Sequence, residues 1–205
     1  FTALVTPFTA DGSAVDYAAL EGLIAKQIEG GITGLVILGT TGESPTVTHE
    51  EFTQVVQTSV AAAGGKTQII VGVGSNDTAK TISYGQEAKE LGASGIMVVN
   101  PYYNKPTQEG LYQHFIAVAD AVDLPQIVYN IKGRTGVNID TANLVRLAQH
   151  QNIVTVKEAS GDVNQMMDVI EQTPGDFSVL SGDDNLTYPL MALGGDGVIS
   201  VSYTH

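Results

Sequence analysis

Ile153-Val154-Thr155-Val156-Lys157-Glu158-Ala159 is a run of apolar and β-branched residues with one lysine inside it, bounded by Asn152 and by Ser160-Gly161. A short, near-continuous apolar run between turn residues is the pattern of a strand buried on both faces of a parallel sheet. The lysine is the anomaly, because desolvating an ammonium costs roughly several kcal/mol unless it is paired or loses its proton. Burial pushes a lysine pKa down, and a neutral amine can attack a carbonyl to form a Schiff base. A strand-end lysine more often reaches solvent or a carboxylate, so its surroundings must decide between the two. Alternation along the strand puts Lys157 and Thr155 on one face and Glu158 on the other. No catalytic part is therefore assigned to Glu158.

On both sides of this run, short apolar stretches alternate with amphipathic ones. Strands are expected over 2–8, 34–39, 69–74, 95–100, 126–131, 153–159, 177–182 and 197–203. Helices are expected near 16–30, 48–63, 77–91, 107–121, 140–149, 163–172 and 184–193. Thr48 and Glu51 have the spacing of a capping box, and Asp183-Asp184 suits a helix start. Strict strand–helix alternation indicates parallel βα units. Near-equal units fit a closed (β/α)8 TIM barrel better than a doubly wound sheet. We expect one catalytic domain over residues 1–205, ending just past the eighth strand, with the last barrel helix absent from the chain.

With 205 residues the chain can bury one sizeable core. A net charge of −13 argues against nucleic acid, an anionic membrane surface or any polyanionic partner. It leaves room for a small anionic substrate at a local basic site, and Arg134 and Arg146 are the two arginines among nine basic residues. With no cysteine, thiolate nucleophiles and cysteine-ligated metals are excluded. His49, His114, His150 and His205 are dispersed without metal-ligand spacing, so no metal is expected. Gly64-Gly65-Lys66-Thr67 ends like a P-loop, but Val60 stands where its first glycine belongs, and Gly72-Val73-Gly74 lacks the third glycine of a dinucleotide fingerprint. No bilayer-length apolar window or signal peptide is found, so a cytoplasmic location is expected.

In such barrels the active site lies on the loops after the strands, and those loops carry the informative residues. Gly39-Thr40-Thr41-Gly42-Glu43-Ser44 follows strand 2, a tight turn with hydroxyls and exposed N–H groups suited to a carboxylate. Strand 4 ends in Asn100-Pro101-Tyr102-Tyr103. Strand 5 ends in Tyr129-Asn130 and leads to Lys132-Gly133-Arg134-Thr135-Gly136. A phenol on the inner face could transfer a proton, and Arg134 could grip an anion bidentately.

As a set these segments resemble the motifs of the dihydrodipicolinate synthase family, which belongs to the Schiff-base aldolases acting on pyruvate. The resemblance is carried by Gly39-Thr40-Thr41-Gly42-Glu43, Pro101-Tyr102-Tyr103-Asn104-Lys105-Pro106, Tyr129-Asn130 with Arg134-Thr135-Gly136, Val156-Lys157-Glu158-Ala159 and Gly197-Val198-Ile199-Ser200-Val201. It spans essentially the whole chain and implies a TIM barrel with a C-terminal helical extension, which is expected to be absent from this chain. It implies that Lys157 forms an iminium with pyruvate, and that the derived enamine attacks aspartate semialdehyde to give 4-hydroxy-tetrahydrodipicolinate, on the route to diaminopimelate and lysine. Thr40, Tyr129 and Tyr103 would form a proton relay, with Tyr103 coming from a neighbouring subunit. Thr41 would hold the pyruvate carboxylate, Arg134 the carboxylate of the semialdehyde, and Gly182 and the Ile199 carbonyl would line the pocket. The resemblance further implies a homotetramer built from tight dimers. No cofactor is expected, since an iminium is its own electron sink.

Two alternatives keep the barrel and the lysine. Another pyruvate aldolase, such as an N-acetylneuraminate lyase or a keto-sugar-acid aldolase, would want hydroxyl-binding groups in place of Arg134. A keto-acid sensor would have no need of Lys157, Tyr129 and Thr40 together. One departure from the family pattern bears on regulation. Lysine-inhibited members bind lysine near positions matching Ser44, His49, Asn76 and Tyr102, with a carboxylate four residues after the asparagine. Here that position is Lys80, with Phe52 in place of a histidine and Pro45 in place of a small residue. Insensitivity to lysine is expected.

Overall fold

A computed structural model describes residues 1–202. Eight parallel strands form one sheet in the order β1 to β8: β1 (Thr2–Ala3), β2 (Gly34–Ile37), β3 (Gln68–Gly72), β4 (Gly95–Val99), β5 (Gln126–Asn130), β6 (Ile153–Glu158), β7 (Ser178–Ser181) and β8 (Gly197–Val198). A parallel bridge between Thr2 and Ser200 brings the two edges together, with Ala3 N donating to Ser200 O at 2.8 Å. The helices between strands are α1 (Tyr17–Glu29), α2 (His49–Ala63), α3 (Thr78–Glu90), α4 (Gln108–Ala121), α6 (Thr141–Leu147), α7 (Val163–Gln172) and α8 (Asp184–Ala192). A short α5 (Lys132–Thr135) precedes α6. The architecture is a TIM-barrel-like α/β fold.

Alternation along each strand sorts the side chains into two layers. Ala3, Val36, Ile70, Met97, Ile127, Tyr129, Ala159, Leu180 and Ile199 pack together inside the ring of strands. Their neighbours Leu35, Ile37, Val71, Ile96, Val98, Val128, Val156 and Val179 pack outward against helical residues such as Leu20, Phe52, Phe115 and Val169. Burial on both faces explains why the strands read as continuous apolar runs.

Acidic residues and threonines start most of the helices. Asp16, Asp77, Asp140 and Asp162 each accept a backbone N–H in the first turn of α1, α3, α6 and α7. The Thr48–Glu51 capping box is present on α2, with Thr48 N donating to Glu51 Oε2 at 2.9 Å. Asp183 precedes α8 without a side-chain cap bond.

Three expectations are corrected. The first strand is far shorter than 2–8: Pro7 has no N–H for a ladder, and Phe8 instead forms an antiparallel bridge with Val15. Strand 8 spans two residues instead of 197–203, and Tyr203, like His205, lies outside the described residues. Residues 132–135, expected as loop, form α5 and end at Gly136, whose φ of +77° suits a residue without Cβ.

Candidate active site

The strand pairing decides the centre of the site. On β5 and β6, Tyr129 is the register partner of Lys157, and both face the inside of the barrel. The Lys157 ammonium lies 4.3 Å from the Tyr129 ring centroid, and only 6% of the lysine is exposed. Burial is the main force on its pKa, with the Arg134 charge acting the same way; Asp183 and Asp184 oppose them, and the result is about 8. At that value about one amine in ten is neutral at pH 7, against about one in three thousand for an ordinary lysine. Burial likewise pushes the Tyr129 phenol up to about 12, so it keeps its proton at neutral pH.

Room for the lysine comes from the residue just after β7. A Cβ at Gly182 would stand 2.6 Å from Ala159 Cβ, 3.1 Å from Lys157 Cε and 3.3 Å from Lys157 Cγ. Any side chain there would displace the amine or its neighbour.

Tyr129, the register partner of the lysine, also lines a cavity of about 430 Å³ together with Thr40, Met97, Val99, Tyr102 and Arg134, among others; Lys157 is not among its lining residues. Gly39, Gly72 and Gly74 also line it and withhold side chains from it. The turn after β2 is tightly folded. Leu38 is buried at φ +54°, a strained conformation for a leucine. Gly42 comes so close that a Cβ would meet Leu38 N at 2.8 Å. Thr6 Oγ1 donates to Gly42 O at 2.7 Å, and Glu43 N to Thr40 O at 3.2 Å. Such strain is worth keeping where a turn must present groups to a ligand.

Tyr129, Thr40 and Arg134 are thus brought to one cavity, Lys157 adjoins it through the Tyr129 ring, and Ile199 sits buried in the inner cluster. Thr41 is half-buried on the turn beside Thr40. Tyr103 is the outlier: it is 89% exposed, at φ +74°, and does not line its own chain's cavity. Glu158 faces away, as its parity demands. It is fully buried and accepts bonds from Ser160 N, Asn130 Nδ2 and Gln165 Nε2. The sequence reading gave Asp183 only a helix start and missed its charge beside Lys157; its place just past the end of β7 was the available signal.

A second, smaller cavity of about 120 Å³ shares Ser44, Pro45, Gly72, Gly74 and Tyr102 with the first and adds Phe52, Lys80 and Tyr84. The Lys80 ammonium lies 5.6 Å from the Tyr84 ring centroid.

Residues 1–205 match the Dihydrodipicolinate synthetase family. A 4-hydroxy-tetrahydrodipicolinate synthase of Moorella thermoacetica is 54% identical over 200 residues, 98% of this chain and 68% of the relative. The dihydrodipicolinate synthase of Cyanidioschyzon merolae, solved with lysine bound, superposes with a TM-score of 0.97 at 45% identity, covering 99% of this chain and 69% of its own. A chloride-inhibited dihydrodipicolinate synthase from Acinetobacter baumannii, complexed with pyruvate, superposes at 0.96 with 47% identity, again over 99% of this chain and 69% of its own. The chain therefore spans about two thirds of the length of these relatives.

Proposed function

This chain belongs to the dihydrodipicolinate synthetase family, and on that basis we propose that it is a lyase condensing pyruvate with aspartate semialdehyde to 4-hydroxy-tetrahydrodipicolinate. The observation that carries the reading is the buried amine of Lys157 set against the Tyr129 ring on the inner barrel face.

The neutral Lys157 amine adds to the ketone of pyruvate, and loss of water leaves an iminium. The iminium draws electrons from the adjacent methyl group, which loses a proton to give an enamine. The enamine carbon attacks the aldehyde of the semialdehyde, forming a carbon–carbon bond and an alkoxide that takes up a proton. Cyclisation through the semialdehyde's own amine then returns the Lys157 amine. Tyr129, protonated at neutral pH, donates during water loss, and Thr40 passes protons along the cavity wall. Thr41 and its backbone hold the pyruvate carboxylate, and Arg134 holds the second carboxylate in a bidentate fork. Gly182 leaves space for the lysine, and the Ile199 carbonyl completes the pocket.

The relay is finished by Tyr103 from a neighbouring subunit. Its exposure and its absence from the lining of its own chain's cavity support that assignment, and with it a homotetramer built as a dimer of dimers. A cytoplasmic location belongs to the same proposal. Arg134 in the cavity wall favours a carboxylate-bearing acceptor over a sugar.

Reduction with borohydride in the presence of pyruvate tests the reading. Mass spectrometry should find one adduct, on the peptide that contains Lys157. An adduct that survives Lys157→Ala, or maps to Lys132 or Lys105, would sink the mechanism. A screen of aldehyde acceptors then separates aspartate semialdehyde from sugar acceptors.

A further inference from the structure

The loop that carries Arg134 is closed on a single side chain. β5 ends at Asn130, Ile131 leads into α5, and after Gly136 the chain returns through Val137-Asn138-Ile139. The returning stretch docks onto the Asn130 amide. Oδ1 accepts from Ile139 N at 3.1 Å, and Nδ2 donates to Asn138 Oδ1 at 2.9 Å. Asn100, at the end of β4, donates from Nδ2 to Asn130 Oδ1 at 3.0 Å and to Val137 O at 3.3 Å. Both ends of the loop are thus tied to Asn130, one by the peptide bond and one by the amide, and Arg134 stands between them at the cavity wall.

Only one orientation of that amide satisfies its partners. Oδ1 faces two donors, Ile139 N and Asn100 Nδ2, so Nδ2 must face the acceptors. Glu158 enforces this. Oε2 accepts from Asn130 Nδ2 at 3.1 Å and Gln165 Nε2 at 3.4 Å, and Oε1 accepts from Ser160 N at 2.7 Å. Asn100, Asn130 and Glu158 are all fully buried, where a misdirected amide cannot be rescued by water. Asn130 and Glu158 are register partners, one step beyond Tyr129 and Lys157 on the same two strands. Tyr129 and Lys157 face the inside of the barrel, and this polar pair faces the other way.

We propose that Asn130, its amide oriented by Glu158 and Asn100, is a positioning residue that holds Arg134 in place relative to Lys157 and so sets the affinity for the second, carboxylate-bearing substrate. The inference rests on the reading of Arg134 as that substrate's clamp. Arg134 touches pyruvate capture only through its charge on the Lys157 amine, an effect that vanishes at the alkaline plateau where the amine is already neutral.

Steady-state kinetics and borohydride trapping on the full chain test it. Asn130→Asp sets a carboxylate against the Glu158 carboxylate and should raise KM for aspartate semialdehyde about tenfold or more, with pyruvate trapping at the alkaline plateau, where the Lys157 amine is neutral, within about twofold of the parent. Because the effect acts through Arg134, adding Arg134→Ala to Asn130→Asp should change KM by less than about twofold beyond Arg134→Ala alone. Pairing Asn130→Asp with Glu158→Gln returns one donor–acceptor contact and should recover part of the loss. Asn138→Ala is milder, trimming only the returning stretch, and should raise the same KM by a smaller factor. It keeps the test open if the buried variants do not fold. Effects of Asn130→Asp and Arg134→Ala that multiply, equal loss of pyruvate trapping, or an unchanged KM in Asn138→Ala would overturn the positioning role. An Arg134→Ala variant that keeps its semialdehyde KM would overturn the clamp assignment, and the positioning role with it.

Discussion

Tyr129 on β5 and Lys157 on β6 are register partners, and the buried ammonium of one lies 4.3 Å from the ring centroid of the other. Each partner is pushed by burial toward its neutral form, the lysine down to about 8 and the phenol up to about 12. At neutral pH the pair holds a fraction of free amine beside an intact proton donor, which is the combination imine formation requires.

Capture of pyruvate should follow the free amine. Below pH 8 the trapping rate is expected to rise about tenfold per pH unit and then to level off. Asp183 holds the lysine pKa up and Arg134 holds it down. Asp183→Asn should therefore move the profile to lower pH, and Arg134→Ala to higher pH. A profile still climbing past pH 10 would mean that the reacting lysine is an ordinary exposed one.

Tyr129→Phe removes one hydroxyl and keeps the buried ring. We expect kcat to fall by roughly 10²–10⁴-fold, the usual contribution of a general acid–base group, with little change in thermal stability. A loss under about threefold would assign the proton transfer to another group.

Gly182→Ala tests whether the space around the lysine matters. The added methyl would sit 2.6 Å from Ala159 Cβ and 3.1 Å from Lys157 Cε. Overpacking of this kind typically costs about 1–3 kcal/mol of stability. Pyruvate trapping should slow by an order of magnitude or more, a drop that a merely destabilised but folded protein would not show at low temperature.

Tyr103 can be tested by mixing subunits. Tyr103→Phe and Lys157→Ala chains are each expected to be nearly inactive. Their heterodimers should recover activity, since isologous contacts leave one site with both residues. Native mass spectrometry would establish that subunits had exchanged; exchange without recovery would place Tyr103 outside the reaction.

Lysine should not inhibit this protein at millimolar concentration. Lys80 presents an ammonium in the wall of the smaller cavity, beside Tyr84 and near Ser44 and Tyr102. His49 and Asn76, also expected there, do not line that cavity. Like charges at such a site repel by an amount on the order of 1–4 kcal/mol near a surface. Isothermal calorimetry and initial rates with added lysine check this, and saturable inhibition of the unmodified protein would show that Lys80 does not meet the ligand. Lys80→Glu should restore binding only in part, because Phe52 and Pro45 remain.

What the sequence determined by itself was local. Apolar runs such as 95–100 and 153–159 read as strands covered on both faces, and Thr48 with Glu51 marked a helix start by its capping-box spacing; the caps at Asp16, Asp77, Thr107, Asp140 and Asp162 were identified in the structure, where each bonds its own first turn. The lone lysine in an apolar run raised the Schiff-base reading and left its surroundings to decide it. Only the tertiary structure decided which residues meet. Register between β5 and β6 put Tyr129 opposite Lys157, and no spacing within either strand specifies that offset. The space at Gly182, the left-handed Leu38 and the Asn130 clasp on the Arg134 loop each depend on groups far apart in sequence. α5 was read as loop because four residues are too few for a periodic pattern; the fold supplies its caps and its bonds back to Ile131.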